Sequence, residues 1–186
     1  MIKDEVDRKL VKLLQEDGRA SLVFLAKRLG MSHVGVKKRL EKLISSDDVR
    51  VSALLNSKDY VFAIIIAELE SYEYFRDIAE RFKDCPRLLF LAPLIGGMNY
   101  IAIMAFEDID TLESCINECA IRTSGGIRRS EVFIAKELVV PTHIHLRIAE
   151  PVLDVAPCGF RCSECPLYRE GKCPACPATK HYRPLR

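Results

Sequence analysis

The chain has 186 residues, 49% hydrophobic and 29% charged, which is typical of a folded chain and excludes a disordered one. No apolar run reaches the roughly 20 residues that a membrane-spanning helix needs, and the longest, 61–67, has the length of a strand. The charged N-terminus has no apolar core, so we expect no secretory signal, no membrane partner and a cytoplasmic location. In that compartment disulfides are rare, and clustered cysteines favour metal binding.

Charge is distributed unevenly along the chain. Residues 1–50 carry 12 basic and 8 acidic side chains, residues 51–150 carry 10 and 15, and residues 151–186 carry 6 and 3. A basic start, an acidic middle and a basic end predict three functional units, of which the two basic ones suit an anionic polymer.

The first 45 residues predict three helices. Apolar residues recur with helical spacing in 4–16, in a shorter segment after Ser21 that stops at Gly30, and again after Ser32, a plausible N-cap. The last two helices, joined through residues 30–32, predict a helix-turn-helix. Residues 49–56 alternate like a strand, which predicts a winged-type domain, and the polar residues 56–59 predict its boundary.

In a helix-turn-helix the second helix enters the major groove of double-stranded DNA, here the helix that begins near His33. Phosphate contact is predicted for three consecutive basic residues, and base contact for His33 and Lys37. Gly35, which is costly inside a helix, would allow close approach to the groove. The predicted DNA-binding residues are Ser32, His33, Gly35, Lys37, Lys38 and Arg39.

Residues 61–139 predict a strand (61–69), a helix (73–83), two strands (87–95 and 99–107), a helix (110–121) and a strand (128–139). The order β-α-β-β-α-β predicts a ferredoxin-like domain, so the fold class is α+β. One face of such a sheet carries no helix, and we expect it to pair with a second copy of the chain.

The helix-turn-helix, the following strand and the β-α-β-β-α-β module together resemble the Lrp/AsnC (leucine-responsive, or feast/famine) transcriptional regulators over residues 4–140. The resemblance implies a DNA-binding N-terminal part and a C-terminal part that forms dimers or higher oligomers. It also implies a small-molecule effector, commonly an amino acid, at the loop Gly97, Met98, Asn99 and Tyr100. That loop lacks the carboxylate that would pair with an amino-acid ammonium, so either the ligand differs or the loop is only a turn.

The C-terminal segment contains five cysteines in the pattern C-x3-C-x2-C-x7-C-x2-C. The pairs Cys162/Cys165 and Cys173/Cys176 match the four sulfurs of a tetrahedral zinc site, and a segment this small would need a metal to fold. Cys158 could replace one of the four, and His181 is a further candidate. An iron–sulfur cluster and redox-active or metal-sensing thiols are the alternatives.

Three other cysteines and two histidines are not predicted to bind metal. Cys85, Cys115 and Cys119 are predicted to pack in the core, because Cys115 and Cys119 follow the apolar stripe of their helix. His143 and His145 are predicted to be exposed on one face of an extended segment. The basic residues that flank the tail cysteines could add a DNA contact.

The predicted domains are a helix-turn-helix (1–55), a ferredoxin-like dimerisation and effector domain (60–140), a linker (141–156) and a small cysteine-rich, metal-stabilised tail (157–186). The predicted function is sequence-specific transcriptional regulation with a structural zinc. The alternatives are a metal- or redox-sensing regulator and, on the same scaffold, a tetrapyrrole-processing enzyme. No nucleophile or acid–base motif is present, so we expect no enzyme.

Overall fold

The computed structural model describes residue 2, residues 4–118 and residues 120–184, without the side chains of Glu118 and Ala120. The chain divides into two compact units, Met1–Ala53 and Leu54–Arg186. Among the described residues, no helix combines the length and the apolar character that crossing a membrane requires.

The first unit is a three-helix domain. Its helices are α1 (Glu5–Glu16), α2 (Leu22–Leu29) and α3 (His33–Ser45). Each begins at a polar N-cap, and the caps Asp4, Ser21 and Ser32 accept hydrogen bonds from backbone N–H groups of the first turn. The predicted helical spacing is confirmed by the apolar side chains that meet between the helices, namely Leu10, Leu25, Ala26, Val36 and Leu43.

The predicted strand over 49–56 is confirmed only at its last two residues. Residues 49–54 form no strand, and the remaining strand, β1 (Leu55–Asn56), lies in the second unit, where it pairs with β6 (His143–Ile144). Residues 49–54 alternate like a strand but have no second strand beside them in their own unit to complete a ladder. The unit boundary therefore falls before β1 rather than after it.

The second unit contains the predicted β-α-β-β-α-β order. Its elements are β2 (Val61–Leu69), α4 (Tyr72–Phe82), β3 (Leu88–Pro93), β4 (Tyr100–Phe106), α5 (Ile109–Glu118), α6 (Ala120–Thr123) and β5 (Ile127–Ala135). The strands form an antiparallel sheet in the order β3-β4-β2-β5, the arrangement of a ferredoxin-like domain.

The two faces of this sheet differ. Alternate residues of β2, such as Ala63 and Ile65, lie buried against α4 and α5. On the opposite face Phe62 is buried with Ile144 of β6, while a row of apolar residues crosses all four strands. That row, hereafter the apolar row, consists of Phe90, Ile103, Ile64 and Phe133 in adjacent registers. Phe90 and Phe133 remain about half exposed.

The segment predicted as a linker and the tail both pack on the second unit. Within 141–156, β6 contributes the buried Ile144, and Leu153 exchanges backbone hydrogen bonds with Ala178 and Lys180. The tail adds a 3₁₀ turn (Cys162–Glu164) and a short helix, α7 (Pro166–Arg169). Ala156, Cys158, Cys162 and Ala175 are buried in the same core as α4 and α5, so the tail is a layer of this unit rather than a separate lobe.

Candidate functional site

The helices α2 and α3 form the predicted helix-turn-helix. Gly30 ends α2 with φ 65, the left-handed conformation that glycine adopts at low cost. Two residues later the Ser32 side chain accepts a hydrogen bond from the Gly35 N–H at 3.1 Å and starts α3. The turn is therefore defined by one glycine and one serine cap.

The outer face of α3 is polar and exposed. His33, Lys37 and Lys38 are exposed there beside Val34. Lys37 has only a weak exposed ion pair, its Nζ 3.7 Å from Glu41 Oε1. The side chains of His33, Lys37 and Lys38 are therefore available for contact with a DNA groove and its phosphates. Their contacts with DNA stay a prediction.

Arg39 has a different environment from its two lysine neighbours. Its Nη1 lies 2.7 Å from Asp7 Oδ1 and 3.1 Å from Asp4 Oδ1, so the guanidinium ties α3 to the start of α1. These carboxylates raise the pKa of Arg39, with the Asp7 hydrogen bond as the largest cause. Arg39 has a structural role here, and its phosphate contact stays a prediction.

The presence of glycine at position 35 has a local structural reason that the sequence did not reveal. A Cβ at this position would lie 3.3 Å from both Met31 Cε and Ser32 Oγ. The residue is therefore crowded by the turn that precedes α3. Close approach to a groove is not needed to explain the absence of a side chain.

The loop Gly97–Tyr100 is held by structural contacts. The Asn99 side chain accepts from the Leu69 N–H at 2.8 Å and donates to the Leu69 carbonyl at 2.9 Å. Tyr100 is fully buried, and its hydroxyl donates to the Ile121 carbonyl at 3.3 Å. Gly97 is exposed and Met98 is partly buried. These contacts favour the interpretation of the loop as a turn.

Seven cysteines line one cavity between the tail and the sheet domain. We call it the cysteine cavity; its volume is about 50 Å³, and its thiols are those of Cys85, Cys115, Cys158, Cys162, Cys165, Cys173 and Cys176. None of the seven is joined to another in a disulfide. All five tail cysteines predicted as metal ligands are therefore brought together, along with two from the sheet domain.

Backbone N–H groups near several of these sulfurs act to lower the pKa of the thiols. The N–H of Ala175 has this effect at Cys173, that of Ala178 at Cys176 and that of Cys176 at Cys162. The N–H groups of Arg87 and Leu88 have the same effect at Cys85. At Cys85, Cys162 and Cys176 burial outweighs it, so the pKa of these thiols is raised.

Arg87 is a buried charge in the wall of the cysteine cavity. It pairs with Glu107 through two N–H groups at 2.9 to 3.2 Å, and it donates to the Ala175 carbonyl at 3.0 Å and to Cys115 Sγ at 3.6 Å. Burial disfavours its charge, but Cys115 and Glu107 outweigh that effect and raise the pKa of Arg87 above its usual value. The tail is thus attached to the sheet domain through a charged network.

The thiols differ in acidity because their surroundings differ. A hydrogen bond from Cys115 lowers the pKa of Cys173 to about 6, and the same bond raises the pKa of Cys115. Burial raises the pKa of Cys176 to about 12, and it raises the pKa of Cys85 and Cys162 as well. Of the two thiols that share this bond, Cys173 is therefore the more acidic.

The sulfurs are gathered but are not arranged around one point. In the part of the chain that the structure describes, no three Cys, His, Asp or Glu side chains are placed to hold one metal ion. A tetrahedral zinc with Zn–S bonds of about 2.3 Å needs sulfurs roughly 3.8 Å apart. Changing χ1 between staggered rotamers moves a cysteine sulfur by roughly 3 Å, so a metal site here would require the cysteine side chains to rotate.

The other predicted candidates lie elsewhere. His181 packs edge-on against Tyr168, their ring centroids 6.1 Å apart, outside the lining of the cysteine cavity. His143 and His145 are exposed, as predicted. Cys119 lies outside the described residues, so its predicted core position is not addressed.

The basic residues of the tail have partners of their own. Lys172 pairs with Glu170 at 2.8 Å, Lys180 pairs with Asp154, and Arg183 lies over the Tyr168 ring at 4.6 Å. Arg186 lies outside the described residues. These local contacts argue against a tail surface built for DNA.

The sequence did not predict that Cys85 and Cys115 lie beside the tail. Both pack against the core as predicted, but both also line the cysteine cavity. One feature could have revealed Cys85: it precedes Pro86, just as Cys165, Cys173 and Cys176 each precede a proline.

Comparison with known proteins places these features in a family. Residues 4–44 match the AsnC-type helix-turn-helix domain. The HTH-type transcriptional regulator FL11 of Pyrococcus abyssi is 31% identical over 144 residues, which cover 75% of this chain and 91% of that protein. The chain belongs to the Lrp/AsnC family of DNA-binding transcriptional regulators.

Solved structures agree with this Lrp/AsnC assignment. The leucine response regulatory protein LrpA of Mycobacterium tuberculosis matches with a TM-score of 0.63 and 25% identity, over 78% of this chain and all of that one. The regulator NMB0573 of Neisseria meningitidis, in a complex with L-Met, matches with a TM-score of 0.63 and 23% identity, over 78% of this chain and 96% of that one. These relatives are regulators, which agrees with the expectation that this Lrp/AsnC protein is not an enzyme.

Proposed function

We propose that this protein regulates transcription by placing α3 in the major groove of specific DNA sites. The exposed outer face of α3, with His33, Lys37 and Lys38 free of strong ion pairs, is the observation that carries the proposal. Lys37 and Lys38 would contact phosphates, and His33 and Lys37 would reach base edges. Such a regulator works in the cytoplasm.

We propose that the protein works as a dimer or higher oligomer formed through the open face of the sheet. The apolar row supports this, since Phe90 and Phe133 leave apolar surface in contact with water in a single chain. A dimer also presents two recognition helices, which suits a site with two related halves.

A small-molecule effector remains part of the proposal, as in the Neisseria meningitidis regulator described with L-Met. In this chain Asn99 and Tyr100 already satisfy backbone and core contacts. An effector would therefore have to bind without using these two side chains as its polar contacts.

We propose that the tail binds zinc through Cys162, Cys165, Cys173 and Cys176, with Cys158 beside them. Four thiolates suit a structural zinc site, and the four thiols line one cavity. The alternative is a labile zinc or iron–sulfur centre that makes the tail the regulatory input.

The DNA interface is tested by salt-dependent binding. We expect Lys37→Ala with Lys38→Ala to weaken binding by at least about tenfold and to reduce the slope of log affinity against log salt by about 2. The measurement is fluorescence anisotropy against a selected DNA site at several salt concentrations.

The control removes the same charge from the sheet domain, through Lys58→Ala with Lys136→Ala, two exposed lysines. If α3 is the interface, this pair leaves the slope close to that of the unsubstituted protein. Equal slopes for both double variants would contradict the proposed interface.

The metal is tested by anaerobic purification, a visible spectrum and analysis of zinc, iron and sulfide per chain. One zinc per chain without visible absorbance supports a structural site. Iron with sulfide supports the sensing alternative, and protein without metal overturns both.

A further inference from the structure

We propose that Cys85 of the sheet domain is a ligand of the same metal centre as the tail cysteines. This inference rests on the proposed metal binding by the tail and extends it, because it places one ligand on a segment about 70 residues earlier in the chain. The centre would then be shared by the tail and the sheet domain. A soft, thiolate-binding metal is the shared chemistry, either a zinc ion or an iron–sulfur cluster.

The first argument is local structure. Cys85, Cys173 and Cys176 each precede a proline, which fixes φ of the next residue. In all three, the backbone N–H two residues after the cysteine acts to lower the pKa of the thiol, although burial outweighs this effect at Cys85 and Cys176. Cys85 therefore shares its local sequence and turn with two of the predicted ligands.

The second argument is position. Cys85 lies in the wall of the cysteine cavity beside the tail thiols. Cys158 and Cys176 line the same cavity, so a metal held there by the tail thiols would have Cys85 in the wall around it.

The third argument is the support around the site. Arg87 donates to Cys115 Sγ at 3.6 Å while it holds the Ala175 carbonyl at 3.0 Å, and Cys115 acts to lower the pKa of Cys173. Ala175 lies between the two tail ligands and has φ 72. Cys115 and Arg87 are thus positioning residues that hold the sulfurs without binding the metal themselves.

A shared centre has a structural consequence. The tail also meets the sheet domain through the Arg81 Nε bond to the Cys158 carbonyl at 2.5 Å and through the Tyr182 hydroxyl bond to Glu107 at 3.0 Å. Metal bound between Cys85 and the tail would add the strongest of these links. Loss of metal would therefore loosen the tail from the domain that is proposed to form the dimer.

The experiment compares Cys85→Ser and Cys85→Ala with the full-length protein and with Ala156→Ser. Serine is nearly isosteric with cysteine and is a poor ligand for soft metals. Ala156 is buried in the wall of the same cavity, so Ala156→Ser introduces the same hydroxyl while it keeps every thiol. Metal per chain, the rate of metal release to a chelator and the thiolate charge-transfer absorbance after Co²⁺ loading are measured for each.

We expect both Cys85 variants to lose metal or to release it at least about tenfold faster, with weaker Co²⁺ absorbance, while Ala156→Ser behaves as the parent protein. Metal content and release that are unchanged in both Cys85 variants would overturn the inference. Elution volume and DNA affinity check the fold, and Cys85→Ser, which is nearly isosteric with the parent residue, guards against a packing defect.

The proposal that the tail binds metal is tested by a separate variant. Cys173→Ser with Cys176→Ser removes two tail ligands and should abolish metal binding. If it does so while the Cys85 variants keep their metal, the tail alone holds the centre and Cys85 is not a ligand. If the parent protein carries no metal under anaerobic conditions, both the tail proposal and this inference are overturned.

Discussion

At the scale of single residues, Arg87 is tolerated as a buried charge because each side of its guanidinium has a partner. Glu107 accepts hydrogen bonds from two N–H groups of Arg87. The Ala175 carbonyl and Cys115 Sγ also accept hydrogen bonds from the guanidinium. Glu107 in turn accepts from the Tyr182 hydroxyl, and burial together with Glu107 raises the pKa of Tyr182 to about 12. An unpaired charge at this depth would cost several kcal/mol, so the network stabilises the tail only as a complete set.

Gly126 is a second position where a single residue decides the local structure. It has φ 81, and a Cβ there would lie 2.3 Å from Tyr74 Cγ. We expect Gly126→Ala to lower the free energy of unfolding by about 1–3 kcal/mol, from backbone strain and displacement of the Tyr74 ring. Urea denaturation measures this change.

The neighbouring glycine provides the control. Gly125 has no atom within 4 Å of its Cβ position, so Gly125→Ala should change stability by less than about 0.5 kcal/mol. Tyr74→Ala combined with Gly126→Ala should recover part of the loss. A Gly126→Ala variant as stable as the Gly125→Ala variant would contradict the assigned strain.

At the scale of elements, α3 depends on how it begins. Ser32 accepts the Gly35 N–H at 3.1 Å, and this bond satisfies one of the orphan donors of the first turn. Arg39 then ties the helix to Asp4 and Asp7 near the start of α1. The cap and the ion pair together set where the exposed residues His33 and Lys37 project.

We expect Ser32→Ala to destabilise α3 by about 1 kcal/mol, because it removes the cap. Amide hydrogen exchange should then become about fivefold faster in α3. Ser32→Thr keeps a hydroxyl at the same position and should stay within a factor of about two of the parent protein. Equal exchange in the alanine and threonine variants would show that the cap contributes little.

At the scale of the whole molecule, the tail packs on one side of the sheet domain and leaves the open face of the sheet accessible. The tail covers the helix side of the second unit, where Cys158 and Cys162 join its core. The opposite face keeps the apolar row accessible, with Phe90 and Phe133 about half exposed. The added tail therefore leaves the proposed dimer surface open.

We expect Phe133→Glu to raise the dimer dissociation constant by about a hundredfold, because loss of one buried phenylalanine already costs about 1.5–3 kcal/mol. Light scattering after gel filtration measures the change in mass. Ile95→Glu alters a fully exposed apolar residue outside the row and serves as the control. Equal masses for the parent and Phe133→Glu at low concentration would contradict dimerisation through this face.

The sequence by itself determined the three N-terminal helices and the order β-α-β-β-α-β along the chain, because these depend on local caps and on spacing repeated within each element. The family followed from the resemblance to the Lrp/AsnC regulators. The caps Ser21 and Ser32 and the alternation along Val61–Leu69 are examples. Of the strand predicted over 49–56, only Leu55–Asn56 is a strand, because alternation cannot reveal whether a second strand lies beside it.

Only the tertiary structure decided which residues meet at the tail. Cys85, Cys115 and the tail cysteines are far apart in the chain, and spacing within any one segment carries no information about contacts across 30 to 90 residues. Their meeting depends on the packing of the tail on α5 and on the turn before β3. The same packing buried Arg87 and placed two cysteines assigned to the core in the wall of the cysteine cavity.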